Sequence, residues 1–200
     1  RQMCIRDRFD AVSAKRCYRD AMPLDQCFHI IEEGLCGRTT IFQDELRENR
    51  RGLDMVGATV EIHNPIDLMI IMLGTNDANS RYKNNPKAIA DDLEEMIRKI
   101  QAGEWQSNTK FKTPKVLVIA PPLQPNETAY GDAFNGAEKI TKELPPLLQE
   151  KCRMLGTEYI NAQDFVKGIP GQIDRVHLSP EQHKVLGEAA DAKVKEIFAH

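Results

Sequence analysis

The sequence is poor in the features that would tie it to a membrane, a disulfide frame or a polyanion. Its apolar runs are short, and none approaches the roughly 18–20 consecutive apolar residues that cross a bilayer. Its five cysteines (Cys4, Cys17, Cys27, Cys36 and Cys152) are odd in number and show no C-x-x-C spacing. They read as reduced thiols of a cytoplasmic protein rather than as a disulfide network or a zinc site. A net charge of −3 provides no field to gather nucleic acid or anionic lipid. Residues 1–8, RQMCIRDR, are polar and charged, without the apolar stretch of a secretory leader. Internal repeats and low-complexity tracts are missing as well.

What is present fits one globular domain, since 200 residues at 41% hydrophobic content can bury a sizeable core. Four short apolar runs stand out: Phe28–Ile31, Leu68–Leu73, Val116–Ala120 and Glu158–Ala162. Segments of helical periodicity lie between them. Pro86 to Gln101 places Ile89, Leu93, Met96, Ile97 and Ile100 on one face, with charges opposite. Phe134 to Leu155 predicts a second helix, bent or interrupted at Pro145-Pro146. Ser179-Pro180-Glu181-Gln182 carries an N-cap serine, a first-turn proline and a capping-box glutamine, and opens a last helix running to Phe198. Strands alternating with helices predict a parallel sheet covered on both faces. The near-continuous hydrophobicity of DLMIIML and KVLVIAPP agrees, because strands buried on both faces do not alternate.

Ligands of such sheets bind beyond the carboxyl ends of the strands, and there the sequence changes character. Leu68–Leu73 gives way at once to Gly74-Thr75-Asn76-Asp77. Gly34-Leu35-Cys36-Gly37-Arg38-Thr39-Thr40 follows the first apolar run, and Asp174-Arg175-Val176-His177 precedes the last helix. An Asp three residues ahead of a His can set its carboxylate against Nδ1 and leave Nε2 as a general base. An Asn amide and glycine N–H groups at strand ends are parts of an oxyanion hole. Each segment also has a purely structural reading. Gly, Asn and Asp dominate turns for backbone reasons, and Asp174 and His177 fit a solvated loop before a capped helix. His29, His63, His183 and His200 show no partner pattern, while Glu32-Glu33 and Arg47–Arg51 read as solvated faces or helix ends.

Taken in order, Gly37, G-T-N-D at 74–77 and D-x-x-H at 174–177 resemble the SGNH hydrolases, also called the GDSL family. The resemblance runs from about Phe9 to the C-terminus and is closest to the arylesterase and acyltransferase branch. Members of that branch carry segments like IEEGLCGRTT, DLMIIMLGTNDAN and KVLVIAPP. The resemblance implies a three-layer α/β/α sandwich with a flavodoxin-like parallel sheet. It implies ester hydrolysis or acyl transfer, with Gly37 N–H and the Asn76 amide holding the oxyanion and with Asp174 and His177 as acid and base. No metal or organic cofactor is implied. The expected partner is a small ester, with no nucleic acid and no membrane; homo-oligomerisation is compatible with the sequence.

One part of the pattern is missing. The family's serine sits in a Gly-Asp-Ser motif after the first strand, and this sequence contains no such motif. Registering Phe9-Asp10 against the residues that usually follow it puts Cys4 in the serine's place, without the flanking Gly and Asp. Ser13 falls too late. Residues 1–8 read instead as a non-native start ahead of a single domain at 9–200, with the first strand absent or replaced and the nucleophile lost. Two alternatives stand beside the serine esterase: a catalytically silent small-molecule-binding relative, and a metal-dependent hydrolase built on Asp77, Asp174 and His177. The second lacks any H-x-H or H-E-x-x-H spacing.

Overall fold

The computed structural model describes residues 30–103, 111–171 and 173–199. Helix α1 (Gly52–His63) leads into strand β1 (Leu68–Ile71), helix α2 (Pro86–Ala102) and strand β2 (Lys115–Ala120). Helix α3 (Ala137–Leu155), strand β3 (Glu158–Asn161), the short α4 (Ala162–Phe165) and α5 (Pro180–Phe198) complete the order. The described strands form one parallel sheet in the order β1–β2–β3, with Ile70 opposite Leu117 and Val118 opposite Tyr159.

Strand β2 shows why its sequence does not alternate. Val116, Val118 and Ala120 enter a core shared with Leu53 of α1, Ile97 of α2 and Leu148 of α3. Leu117 and Ile119 point to the opposite face and pack on Ala162, Leu186 and Ala190. Both faces are covered from Val116 onward, so every position from Val116 to Ala120 is apolar, and only Lys115 at the strand's start is exposed. Strand β1 differs from its expectation of full burial: Leu68, Met69 and Ile70 are half-buried and only Ile71 is buried. Among the described residues, β1 has a strand neighbour on one side alone.

Helix ends follow the local chemistry of the sequence. Asn85 caps α2 by accepting from Ala88 N–H at 2.9 Å, with Pro86 in the first turn and Gly103 closing the far end. Ser179 and Gln182 form the reciprocal capping box of α5.

Two expectations are corrected. Of the strand expected at Phe28–Ile31, Ile30 and Ile31 belong to no strand, and Phe28 and His29 lie outside the described residues. An apolar run becomes a strand only beside a neighbour that satisfies its backbone groups. None of the described strands pairs with Ile30 or Ile31, so three of the four expected strands are seen. The interruption expected at Pro145-Pro146 does not occur, and α3 continues through both prolines. Pro145 cannot donate to the Thr141 carbonyl one turn back, but Gln163 Nε2 donates to that carbonyl at 2.8 Å. Lys142, whose carbonyl faces the same loss from Pro146, is exposed to water. Among the described residues, no helix is long and apolar enough to cross a membrane.

Candidate active site

Gly37 sits in a turn where Arg38 N–H donates to Leu35 O at 3.0 Å. Its φ of +77° is a left-handed backbone that favours glycine. The next residues tie this turn to α1, because Thr39 and Thr40 carbonyls accept from Gly52 N–H at 3.0 Å and Leu53 N–H at 2.9 Å. Those bonds satisfy donors at the helix start, where α1 has no side-chain cap.

The Gly74–Asp77 segment beyond β1 docks onto the same turn. Asn76 Nδ2 donates to Arg38 O at 2.9 Å, which uses one of the two N–H groups of its amide. Asp77 is fully buried, and its Oδ1 accepts from Thr40 N–H at 2.8 Å and from Thr40 Oγ1 at 2.6 Å. Burial pushes the Asp77 carboxyl above its ordinary range, against the pull of the Thr40 hydrogen bonds. The apolar run through β1 to Leu73 therefore gives way to four small or polar residues, two of which staple it to the loop that carries Gly37.

Asp174 and His177 form the third part. Asp174 Oδ2 lies 2.5 Å from His177 Nδ1, while Oδ1 accepts from the N–H groups of Val176 and His177, each at 2.9 Å. Arg175 takes a left-handed φ of +63° inside this turn, and its carbonyl accepts from the buried Gln124 Nε2 at 3.1 Å. Tyr130 Oη donates to Asp174 Oδ2 at 3.3 Å, and Ala129 N–H donates to the Asp174 carbonyl at 3.1 Å. Burial works against ionisation of Asp174, but the hydrogen bonds from His177 and Val176 outweigh it and hold the carboxyl below its ordinary range. Asp174 is thus a carboxylate at neutral pH. Behind the turn, a Cβ added to Gly171 would fall 2.1 Å from the His177 carbonyl oxygen, so the backbone of His177 occupies that space.

A small apolar cluster links the Gly74–Asp77 segment to the Asp174–His177 turn. Ala78, next to Asp77, packs with Phe134 and Ala137, and Val176, next to His177, packs against them. Asp77, the third ligand of the metal reading, directs its Oδ1 to Thr40, and no group of three or more His, Cys, Asp or Glu among the described residues could hold a metal ion. Cys4 and Ser13 lie outside the described residues. The linear sequence carries no signal for Tyr130 or Gln124 and shows Thr40 only as the end of the Gly34–Thr40 segment; their roles arise from contacts across 44, 51 and 37 residues of chain.

The parallel sheet with its helices is that of an SGNH-type hydrolase, and the chain belongs to the GDSL-like lipase/acylhydrolase family, whose model matches residues 12–185. Est24, a carbohydrate acetylesterase from Sinorhizobium meliloti, superposes with a TM-score of 0.83 at 33% identity, covering 96% of this chain and 86% of that one. The native M. smegmatis aryl esterase superposes with a TM-score of 0.82 at 27% identity, covering 94% of this chain and 85% of that one. An acetylxylan esterase of Xylanibacter ruminicola is 25% identical over 142 residues, 64% of this chain. The match spans 28% of that longer protein.

Proposed function

We propose that this chain is built to cleave short-chain carboxylic esters by the serine-esterase route, with Gly37 N–H and the Asn76 amide as oxyanion donors and Asp174–His177 as the acid–base pair. The observation that carries the reading is the Asp174 carboxylate 2.5 Å from His177 Nδ1, itself held by two backbone N–H groups. That contact fixes the imidazole with Nδ1–H toward the carboxylate, so Nε2 is the nitrogen that takes a proton. A serine oxygen attacks the ester carbonyl as His177 accepts its proton, and Asp174 stabilises the imidazolium. The oxyanion forms against Gly37 and Asn76. Collapse expels the alcohol with the proton returned by His177, and water, or a second alcohol in acyl transfer, then releases the acyl group. The named acetylesterase and aryl esterase relatives make acetyl esters the first substrates to test.

A second reading follows from the absence of a Gly-Asp-Ser motif in the sequence. Under it, the chain as written binds esters without turning them over efficiently, because the oxyanion hole alone leaves about 10³–10⁴-fold acceleration over water. The experiment compares hydrolysis of an aryl acetate by this chain and by a variant whose residues 1–8 are replaced with an apolar strand ending in Gly-Asp-Ser. Low activity in the first, high activity in the second and its loss with His177→Ala support the serine route. Strong activity in the unmodified chain, removed by Cys4→Ala, would make Cys4 the nucleophile. Persistent activity after His177→Ala would remove His177 from the mechanism.

A further inference from the structure

The guanidinium of Arg47 occupies the space that a side chain on Gly37 would fill. A Cβ built on Gly37 would lie 2.1 Å from Arg47 Nη2, 2.7 Å from Cζ and 2.9 Å from Nη1. The arginine is held there by Asp44, whose side chain is fully shielded from solvent while that of Arg47 is 41% exposed. Arg47 Nε donates to Asp44 Oδ2 at 3.0 Å, and Nη2 lies 2.9 Å from the same oxygen. Arg81 reaches that oxygen too, with Nη2 at 2.9 Å, and donates to Tyr82 Oη at 2.7 Å. Leu46 N–H supplies Asp44 Oδ1 at 2.9 Å.

This is more than the buried carboxylate requires. Arg81 and Leu46 N–H already give each Asp44 oxygen a donor, so Arg47 is surplus to satisfying the group. Arg47 itself is 41% exposed, so water screens its half of the pair and the contact adds less to stability than a fully buried pair would. What distinguishes Arg47 is where its guanidinium lies: in the Cβ space of Gly37, the proposed oxyanion donor. Two arginines on one carboxylate leave a net positive charge beside that donor, while Glu45 and Glu48 of the same segment are exposed. A cation held beside a developing oxyanion favours its charged form.

We propose that Arg47, clamped by Asp44, is a positioning residue of the oxyanion site: it holds the Gly37 turn in place and adds positive charge beside the Gly37 N–H. The inference rests on the reading of Gly37 and Asn76 as oxyanion donors. It also accounts for glycine at 37 on a second ground, since any side chain there would displace the arginine.

The test uses the full chain, labelled with ¹⁵N, and acetate as a probe, because the product carboxylate presents an anionic oxygen to the same donors. Acetate is titrated at constant ionic strength while the backbone amide of Gly37 and the side-chain amide of Asn76 are followed. The parent, Arg47→Met and Arg47→Lys are compared. Arg81 and Leu46 N–H still satisfy Asp44 in both variants, and unchanged amide signals from α2 and α3 verify the fold. The expected result is acetate-dependent shifts at Gly37 and Asn76 in the parent, affinity about tenfold weaker in Arg47→Met, and a smaller loss in Arg47→Lys, which keeps the charge. Equal affinity in all three proteins overturns the role of Arg47 and leaves the oxyanion reading standing. A lysine variant as weak as the methionine variant overturns the electrostatic part. Absence of acetate-dependent shifts at both Gly37 and Asn76 in the parent overturns the oxyanion reading and this inference with it.

Discussion

At the scale of single residues, carboxylates divide according to what surrounds them. Asp174 receives enough hydrogen bonds to be held below its ordinary range despite burial. Asp92, on the face of α2 beside Asp77, is pushed from 3.8 up to about 6, by burial first and then by the charges of Asp77, Glu95 and Asp91, with Arg51 opposing. The buried Asp92 Oδ2 has no hydrogen-bond partner among the described residues. The folded protein therefore binds the Asp92 proton more tightly than the unfolded chain does. The resulting stabilisation is fully present below about pH 4 and is lost as pH rises through 6. Asp92→Asn should raise stability at pH 8 by on the order of 1–3 kcal/mol and change it little at pH 3.5. Urea unfolding at the two pH values checks this; an equal gain at both would trace the effect to packing instead of charge.

At the scale of elements, α3 shows how a helix tolerates two prolines when another element supplies the missing donor. Gln163, in α4, sends Nε2 to the Thr141 carbonyl at 2.8 Å and to the Pro121 carbonyl at 3.1 Å. Tyr159 in β3 donates to the Pro145 carbonyl at 3.0 Å. Gln163→Met should cost about 1–2 kcal/mol by stranding both carbonyls. Adding Pro145→Ala should recover part of that loss, because the new N–H reaches Thr141 from within the helix. Denaturant midpoints of the single and double variants decide the matter, and a double variant no more stable than Gln163→Met would refute this account of the prolines.

At the scale of the whole molecule, the sheet separates two cores. Ile97 belongs to the layer of α1, α2 and α3, and Ile119 to the layer of α4 and α5. Each Ile→Val change should cost about 0.5–1.5 kcal/mol. Across the sheet the pair should add to within about 0.5 kcal/mol, since the two side chains share no cluster. Ile97 and Ile100 lie in one cluster, and their double variant should depart from additivity by more. A large coupling between Ile97 and Ile119, measured by double-mutant unfolding, would mean that the two layers respond as one.

By itself the sequence determined three strands, the helices α2 and α5, and the cap that opens α5. The apolar runs of β1, β2 and β3, the period of α2 and the cap at Ser179 are interactions among near neighbours, which is why they are legible in linear order. The Asp174–His177 contact was legible for the same reason, spanning one turn of three residues. Helix α1 was harder to see, because Gly52 and Gly57 dilute its helix propensity and its N-terminus is satisfied by the distant Thr39 and Thr40. Only the tertiary structure decided that Asn76 would reach Arg38, that Asp77 would bond Thr40 and that Asp44 would gather Arg81, pairs separated by 38, 37 and 37 residues. These contacts depend on which strand ends lie side by side. Strand order is set by how the two apolar faces of the sheet are covered, and no window of neighbouring residues records it.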